Sequence, residues 1–241
     1  MIIDRVSVKQ RSKDLIRTSR PNMLYAGLIY TLLGALIGYL SLRLTGVDYD
    51  TMVNVMQASS EGRSEAAMNL LMKAVPGTGE TILDMLLRLA IGIVGVGMTL
   101  FALNSVRGSN PQLGNLLDGF GMMPRLLVLL ILEYLFIFLW SLLLFIPGII
   151  AAYRYSLAVY IMIDHPELSA MECIRESKRM TRGYKGQLFK LDLSFLPWLF
   201  LSAMPIIGYA VQIFLTPYME SAKAIYYEQI RGQESDWNDF T

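Results

Sequence analysis

Apolar residues in this chain fall into long unbroken runs, at about 23–42, 83–104, 124–146, 148–164, 188–204 and 206–228, and do not alternate with polar ones. A helix needs about 20 such residues to cross the hydrocarbon core of a bilayer. In lipid the backbone must satisfy its own hydrogen bonds, which leaves helices or closed barrels, and unalternating runs exclude the barrel. The pattern therefore predicts an all-α polytopic membrane bundle of about six transmembrane helices. Pro147-Gly148 separates the third run from the fourth, and Pro205 the fifth from the sixth, which predicts two helical hairpins with tight turns. Pro217, inside the sixth run, removes one backbone donor and predicts a kink.

The polar stretches between the runs set the orientation. Arg5, Lys9, Arg11, Lys13, Arg17 and Arg20 precede the first run, and Arg175, Lys178, Arg179, Arg182 and Lys185 lie between the fourth and fifth. The segment after the first run carries Arg43, Arg63 and Lys73 against Asp48, Asp50, Glu61, Glu65 and Glu80. Lys and Arg stay on the cytoplasmic side of membranes, so six crossings with both ends inside satisfy every segment. The expected organisation is a basic cytoplasmic segment over 1–22, one transmembrane helical domain over 23–230 and a polar tail over 231–241. The domain includes an outer loop over 43–82 and an inner amphipathic helix over 169–183. No small-x-small cleavage site follows the first run, so that run is expected to remain as an anchor.

Within the polar segments, residues 7–18 fit a basic amphipathic helix closed by Arg20-Pro21. Met68, Leu71, Met72 and Val75 stand at helical spacing in the outer loop, as in a helix lying on a membrane surface. Ser169-Ala-Met-Glu172 is a capping-box pattern opening a helix that Gly183 can close. Ala170, Cys173, Ile174, Ser177, Met180 and Tyr184 share one face of it, with the basic residues elsewhere. Two readings of those basic residues stand side by side: contacts to anionic lipid headgroups, at about 1 kcal/mol each near the surface, or a connector whose charge only enforces topology.

Composition narrows the classes. A chain with 54% hydrophobic residues is greasier than an ordinary soluble domain, and a net charge of +1 gives no basic excess for nucleic acid. One cysteine, Cys173, and one histidine, His165, exclude an intrachain disulfide and a cysteine- or histidine-rich metal centre. No phosphate loop, nucleophile elbow or His-Glu-x-x-His is present, so neither a catalytic residue nor a cofactor is expected.

Charged residues inside the runs are the candidate chemistry. Arg154 interrupts the fourth run, where an arginine costs about 2.5 to 3.5 kcal/mol and nearly cancels the apolar gain of its neighbours. It is expected to turn inward toward a neighbouring helix or snorkel to the outer surface. Counted along the helices from Pro147, Glu133 lies about 11 Å deeper than Arg154, too far for an easy pair. Glu133, Asp192, Glu220 and Lys223 fall in the inner halves of their runs, and with Arg154 they form a candidate intramembrane polar cluster. Such groups mark an ion or substrate path or hold the bundle together. Asp84 and Arg88, four apart, fit a helical ion pair. Gly34 and Gly38, with Gly92, Gly95 and Gly97, allow close helix contact, inside the bundle by default. Asp164-His165 before Pro166 reads as a helix exit.

The stretch from about 116 to 230 resembles the bacterial membrane-protein family catalogued as domain of unknown function 975. The likeness is carried by Pro147-Gly148, Tyr153-Arg154-Tyr155-Ser156, Asp164 to Glu167, Ser177-Lys178, Leu193 to Trp198 and Pro217-Tyr218. His165 and Met204-Pro205-Ile206 depart from the family's usual residues. The resemblance implies a multi-spanning cell-membrane protein, distantly similar to the membrane portion of glycerophosphodiester phosphodiesterases, with no established activity. The resulting expectation is a non-catalytic accessory or regulatory protein of the bacterial cytoplasmic membrane. It would contact anionic lipid, a protein partner or a second copy of itself, and no nucleic acid. The alternative is a small transporter or channel using the inner polar cluster.

Overall fold

The computed structural model describes residues 3–45, 49–73, 77–204 and 207–238, and every regular element among them is helical. The helices are α1 (Arg5–Thr18), α2 (Met23–Thr45), α3 (Tyr49–Ser60), α4 (Ser64–Lys73), α5 (Thr78–Arg107), α6 (Asn115–Asp118), α7 (Met123–Leu143), α8 (Phe145–Tyr155), α9 (Ala158–Asp164), α10 (Ala170–Met180), α11 (Lys185–Leu193), α12 (Leu196–Ser202) and α13 (Ile207–Asn238). Four stretches are long and apolar enough to cross a membrane: Met23–Leu44, Thr78–Arg107, Asn115–Leu142 and Ile146–Asp164. The all-helical membrane-type fold is as the runs predict.

The expected runs and the observed helices part company in the second half. The fourth run is interrupted at Ser156-Leu157, between α8 and α9, and the fifth at Ser194-Phe195, between α11 and α12. At about 1.5 Å per residue, the nine residues of α11 rise only about 14 Å, too short to cross alone. The hairpin corner between α7 and α8 falls on Leu144, which is extended at φ −164° and ψ 150°, and not on Pro147-Gly148. Pro147 fits inside the first turn of α8 because the amide it lacks would have had no helical acceptor there. Gly148 lies where any Cβ would strike Ser141 on α7, so it sets how closely the two arms meet. Pro205 lies outside the described residues, as does Val75 of the outer-loop pattern. The residues expected as a polar tail continue α13 as far as Asn238.

The chain forms two compact units, Met1–Ile29 with Ile93–Thr241, and Tyr30–Gly92. In the larger unit α10 packs on α7 and α9, while α1 and α12 pack on α13. Phe101, Leu103, Leu126, Leu129, Leu157, Phe195, Tyr218, Tyr226 and Tyr227 are buried there. The N-terminal helix is no free tail. Val8, Ser12 and Ile16 bury one face of α1, and Ser12 Oγ donates to the Tyr218 carbonyl at 2.9 Å. Lys9 Nζ donates to Ser194 Oγ at 3.1 Å and stands 4.7 Å above the Phe195 ring, which meets Tyr218 edge-on at 5.0 Å. The break in the fifth run is thus where a lysine from α1 docks. Partial burial, then Lys13 and Arg5, hold the Lys9 ammonium below its ordinary pKa.

At Pro217, inside α13, the Ile213 carbonyl loses its helical partner. Gly27 of α2 lies directly against that carbonyl and the Pro217 ring, with no room for a Cβ. Outward, α7 presents Ile131, Tyr134, Phe138 and Leu142 along one stripe, each more than 60% exposed. A contiguous apolar face of that kind is foreign to a soluble monomer and natural against lipid.

In the smaller unit α3 and α4 form a hairpin turned at Gly62, whose φ of +72° is left-handed. Met68, Leu71 and Met72 are exposed on α4. The Asp84–Arg88 pair forms at 2.8 Å, and Ser41 joins it by donating to Asp84 and accepting from Arg88 at 2.6 Å. Within this unit no described atom lies within 4 Å of a Cβ built at Gly34, Gly38 or Gly92. Gly97, in the larger unit, does make such a contact, against the Leu116 backbone.

Candidate functional site

The site is organised by the break in the fourth run. α8 ends at Tyr155, and the Arg154 carbonyl and the Leu157 amide lose regular helical partners. α10 supplies both from one side chain: Ser177 Oγ donates to the Arg154 carbonyl at 3.0 Å and accepts from the Leu157 amide at 3.1 Å. Thr181 Oγ1 stands 3.3 Å from the same carbonyl. Both hydroxyls are fully buried, as main-chain groups in an apolar setting demand.

α10 itself follows from local sequence. Ser169 accepts from the Glu172 amide at 3.4 Å, and the Glu172 carboxylate accepts from the Ser169 amide at 2.8 Å, completing a capping box. Ser169, then Arg175, keep that carboxylate below its usual pKa. Ala170, Cys173, Ile174, Ser177 and Met180 are buried, and the basic residues project from the other side. Gly183, at φ +87°, turns the chain into α11.

Those basic residues converge with Arg154. A pocket of about 360 Å³ is lined by Arg154, Arg175, Lys178, Arg179, Arg182 and Lys185, all six cationic. Arg179 also pairs with Glu176. The other five form no ion pair among the described residues. Burial, followed by Arg154, Arg182 and Lys178, pushes the Lys185 pKa down. Cys173, buried beneath, has its thiol pushed up by desolvation and is a packing residue rather than a nucleophile.

Arg154 has a second side. Its guanidinium carbon lies 5.7 Å from the Trp140 ring centroid, and Nε is buried without a hydrogen-bond partner among the described residues. Trp140, Pro147, Ile150 and Ala151 join Arg154 around an apolar groove of about 240 Å³ between α7 and α8. Arg154 therefore belongs to both cavities.

The expected intramembrane cluster is only partly assembled. Arg154 goes to the basic pocket and not to Glu133, whose Oε1 is buried without a hydrogen-bond partner. Glu220 accepts from Thr99 at 3.0 Å, and Tyr160 lies in the field of both Glu220 and Asp192. Asp192 Oδ1 is buried and unpartnered, with Tyr153 nearby. Lys223 forms no ion pair among the described residues.

A different cluster, missed by reading the runs, lies at the end of α9. Asp164 accepts from Arg107 at 2.8 and 2.6 Å, from Arg231 at 2.8 Å and from Tyr227 at 2.8 Å. Arg107 Nε also donates to Glu228 at 2.7 Å. The Asp164 side chain is 7% exposed beneath partly exposed Arg107 and half-exposed Arg231, so the clamp is a buried carboxylate under an arginine rim in which each charge has a partner. It ties the C-terminal ends of α5 and α9 to α13. Asp164 and Ser177 both stand in the motifs that carry the family resemblance, the one signal that could have singled them out. His165 sits outside the clamp as the helix exit, 3.1 Å from Glu167.

Residues 142–234 match the family described as Protein of unknown function (DUF975). The matched segment contains α8 to α12, most of α13, the basic pocket and every clamp residue except Arg107. No curated protein and no solved structure matches the chain.

Proposed function

We propose that this is an integral protein of the bacterial cytoplasmic membrane that acts without catalysis, as an accessory or regulatory component whose inner face binds phosphate-bearing anionic groups of the bilayer. The observation that carries the reading is the pocket lined by six cations, five of them without an ion-pair partner among the described residues. Basic pockets beside membrane helices on the cytoplasmic side recognise phospholipid headgroups. The orientation, with both ends inside and about six crossings, is supported by the Lys and Arg distribution. It is supported also by the contact of Arg107 with Asp164, which brings the C-terminal ends of two candidate spans to one side. The test is flotation of the full chain, in mixed detergent–lipid micelles, with anionic against zwitterionic vesicles, paired with reporter fusions at residues 165–187. Retention on anionic vesicles alone, with the reporters inside, is the expected result. Equal retention on both, or reporters outside, overturns the reading.

A second reading, as a small-solute, ion or lipid carrier, draws on the two interrupted runs and on the buried unpartnered oxygens of Glu133 and Asp192. Carriers place interrupted helices and ionisable groups at their binding sites. Counterflow by the chain in proteoliposomes, lost in Glu133→Gln and Asp192→Asn, would favour it.

A further inference from the structure

The six-cation pocket and the apolar groove are two cavities of opposite chemistry that share one wall. That wall is Arg154. Free phosphate, a nucleotide or an acidic peptide would have a use for the cationic cavity and none for the groove. A neutral lipid tail would fit the groove and gain nothing from the cations. A molecule that is anionic at one end and aliphatic at the other uses both.

We infer that the two cavities form a single site for one anionic phospholipid, its phosphate among Arg154, Lys178, Arg182 and Lys185 and an acyl chain along Trp140, Pro147, Ile150 and Ala151. The inference rests on the anionic-headgroup reading above and adds the site, the stoichiometry and the residue that joins its halves.

Arginine is the side chain suited to the junction. A guanidinium can lie flat against an indole while its edge donates two parallel hydrogen bonds to a phosphate, which an ammonium cannot do. The Trp140 contact is in place, and the buried unpartnered Nε leaves the group incompletely satisfied by protein alone. The backbone at this point is fixed by Ser177, so the guanidinium is held at the junction. Burial, and after it the repulsion of Arg154, Arg182 and Lys178, lowers the Lys185 pKa, and a bound phosphate would relieve the repulsive part.

The experiment uses the full chain in neutral detergent and measures binding by native mass spectrometry and by a fluorescence titration in a Trp198→Phe, Trp237→Phe background that leaves Trp140 as the one reporter. The probes are dioctanoyl phosphatidylglycerol, dioctanoyl phosphatidylcholine and inorganic phosphate. The expected result is one tightly held phosphatidylglycerol per chain, bound at least tenfold more tightly than either other probe. Arg154→Gln weakens that binding tenfold or more. Trp140→Ala, read by mass spectrometry, weakens phosphatidylglycerol but leaves inorganic phosphate unchanged. Arg154→Lys keeps phosphate binding and loses most of the lipid preference.

If Arg154→Gln and Trp140→Ala bind phosphatidylglycerol as the unaltered chain does, while Lys178→Glu with Arg182→Glu abolishes it, the basic face stands and the two-part site is overturned. Inorganic phosphate binding as tightly as phosphatidylglycerol overturns it too, because the groove then contributes nothing. Indifference of every variant, with phosphatidylcholine bound equally well, overturns the headgroup reading itself. The probe measurements on the unaltered chain need no variant to fold.

Discussion

Two charged clusters lie in the larger unit of this molecule, and they differ in whether their charges are answered. At the end of α9 the Asp164 carboxylate accepts from Arg107, Arg231 and Tyr227, and Glu228 takes the remaining edge of Arg107. At the end of α8, six cations face one cavity and, among the described residues, only Arg179 has an acidic partner. A closed network of that kind has spent its hydrogen-bonding capacity on the fold and offers nothing to a ligand. An open one is electrostatically uphill until something negative enters from outside. Removing a charge should therefore harm the first cluster and relieve the second.

The largest effect is expected at the clamp. Asp164→Ala leaves Arg107 and Arg231 without their shared acceptor and should destabilise the chain by about 3 kcal/mol, read as a lowered midpoint of thermal unfolding in detergent. Arg154→Leu should leave that midpoint unchanged or raise it. If both substitutions destabilise alike, the contrast between the clusters is lost.

Next in size is ligand-linked stability. Anionic phospholipid at one hundred times its dissociation constant should stabilise the unaltered chain by about 2.7 kcal/mol, and Arg154→Leu much less. An equal gain in both would place the lipid elsewhere. Ser169→Ala, which removes the cap of α10, should cost about 1 kcal/mol and lower lipid affinity, because the cationic helix is then less firmly held. Asn at the same position should restore most of both.

The smallest effect concerns pH. Lys185 is faced by Arg154 from α8, Lys178 from α10 and Arg182 from the turn after it, and burial followed by these charges holds its pKa in the free protein below the ordinary 10.5. A bound phosphate favours the protonated amine, so binding takes up a proton once the pH exceeds the lowered value. Affinity should fall as pH rises through a window that opens below 10.5, and Lys185→Arg should flatten it. A profile that is flat in the unaltered chain would remove Lys185 from the site.

Much of the fold was legible in the runs because hydrophobic length and helix caps are local properties. Four of the six predicted runs, which reappear as membrane-length apolar stretches, the capping box at Ser169-Glu172 and the Asp84–Arg88 pair all depend on residues near one another in the chain. The break at Ser156-Leu157 was illegible, since it contains neither Gly nor Pro and is supported from a distance by Ser177, whereas the one at Ser194-Phe195 has a local mark in Pro197, in the first turn of α12, beside the distant contact from Lys9. Arg154 illustrates the same limit. Counting residues from Pro147 gives its depth along one helix but not which helix returns beside it, and it is the return of α10 that sets its surroundings. Arg107 and Asp164 are 57 residues apart, and no short-range pattern joins them.

One hydroxyl deserves a mechanical reading. Ser177 grips the chain on both sides of the Ser156 interruption, so α10 cannot drift away without stranding a carbonyl and an amide together in an oily setting. The seam behaves as a latch with Ser177 as its double-sided bolt and Thr181 bearing on the same carbonyl, so a pull on the cationic rim is passed to both halves of the broken arm together.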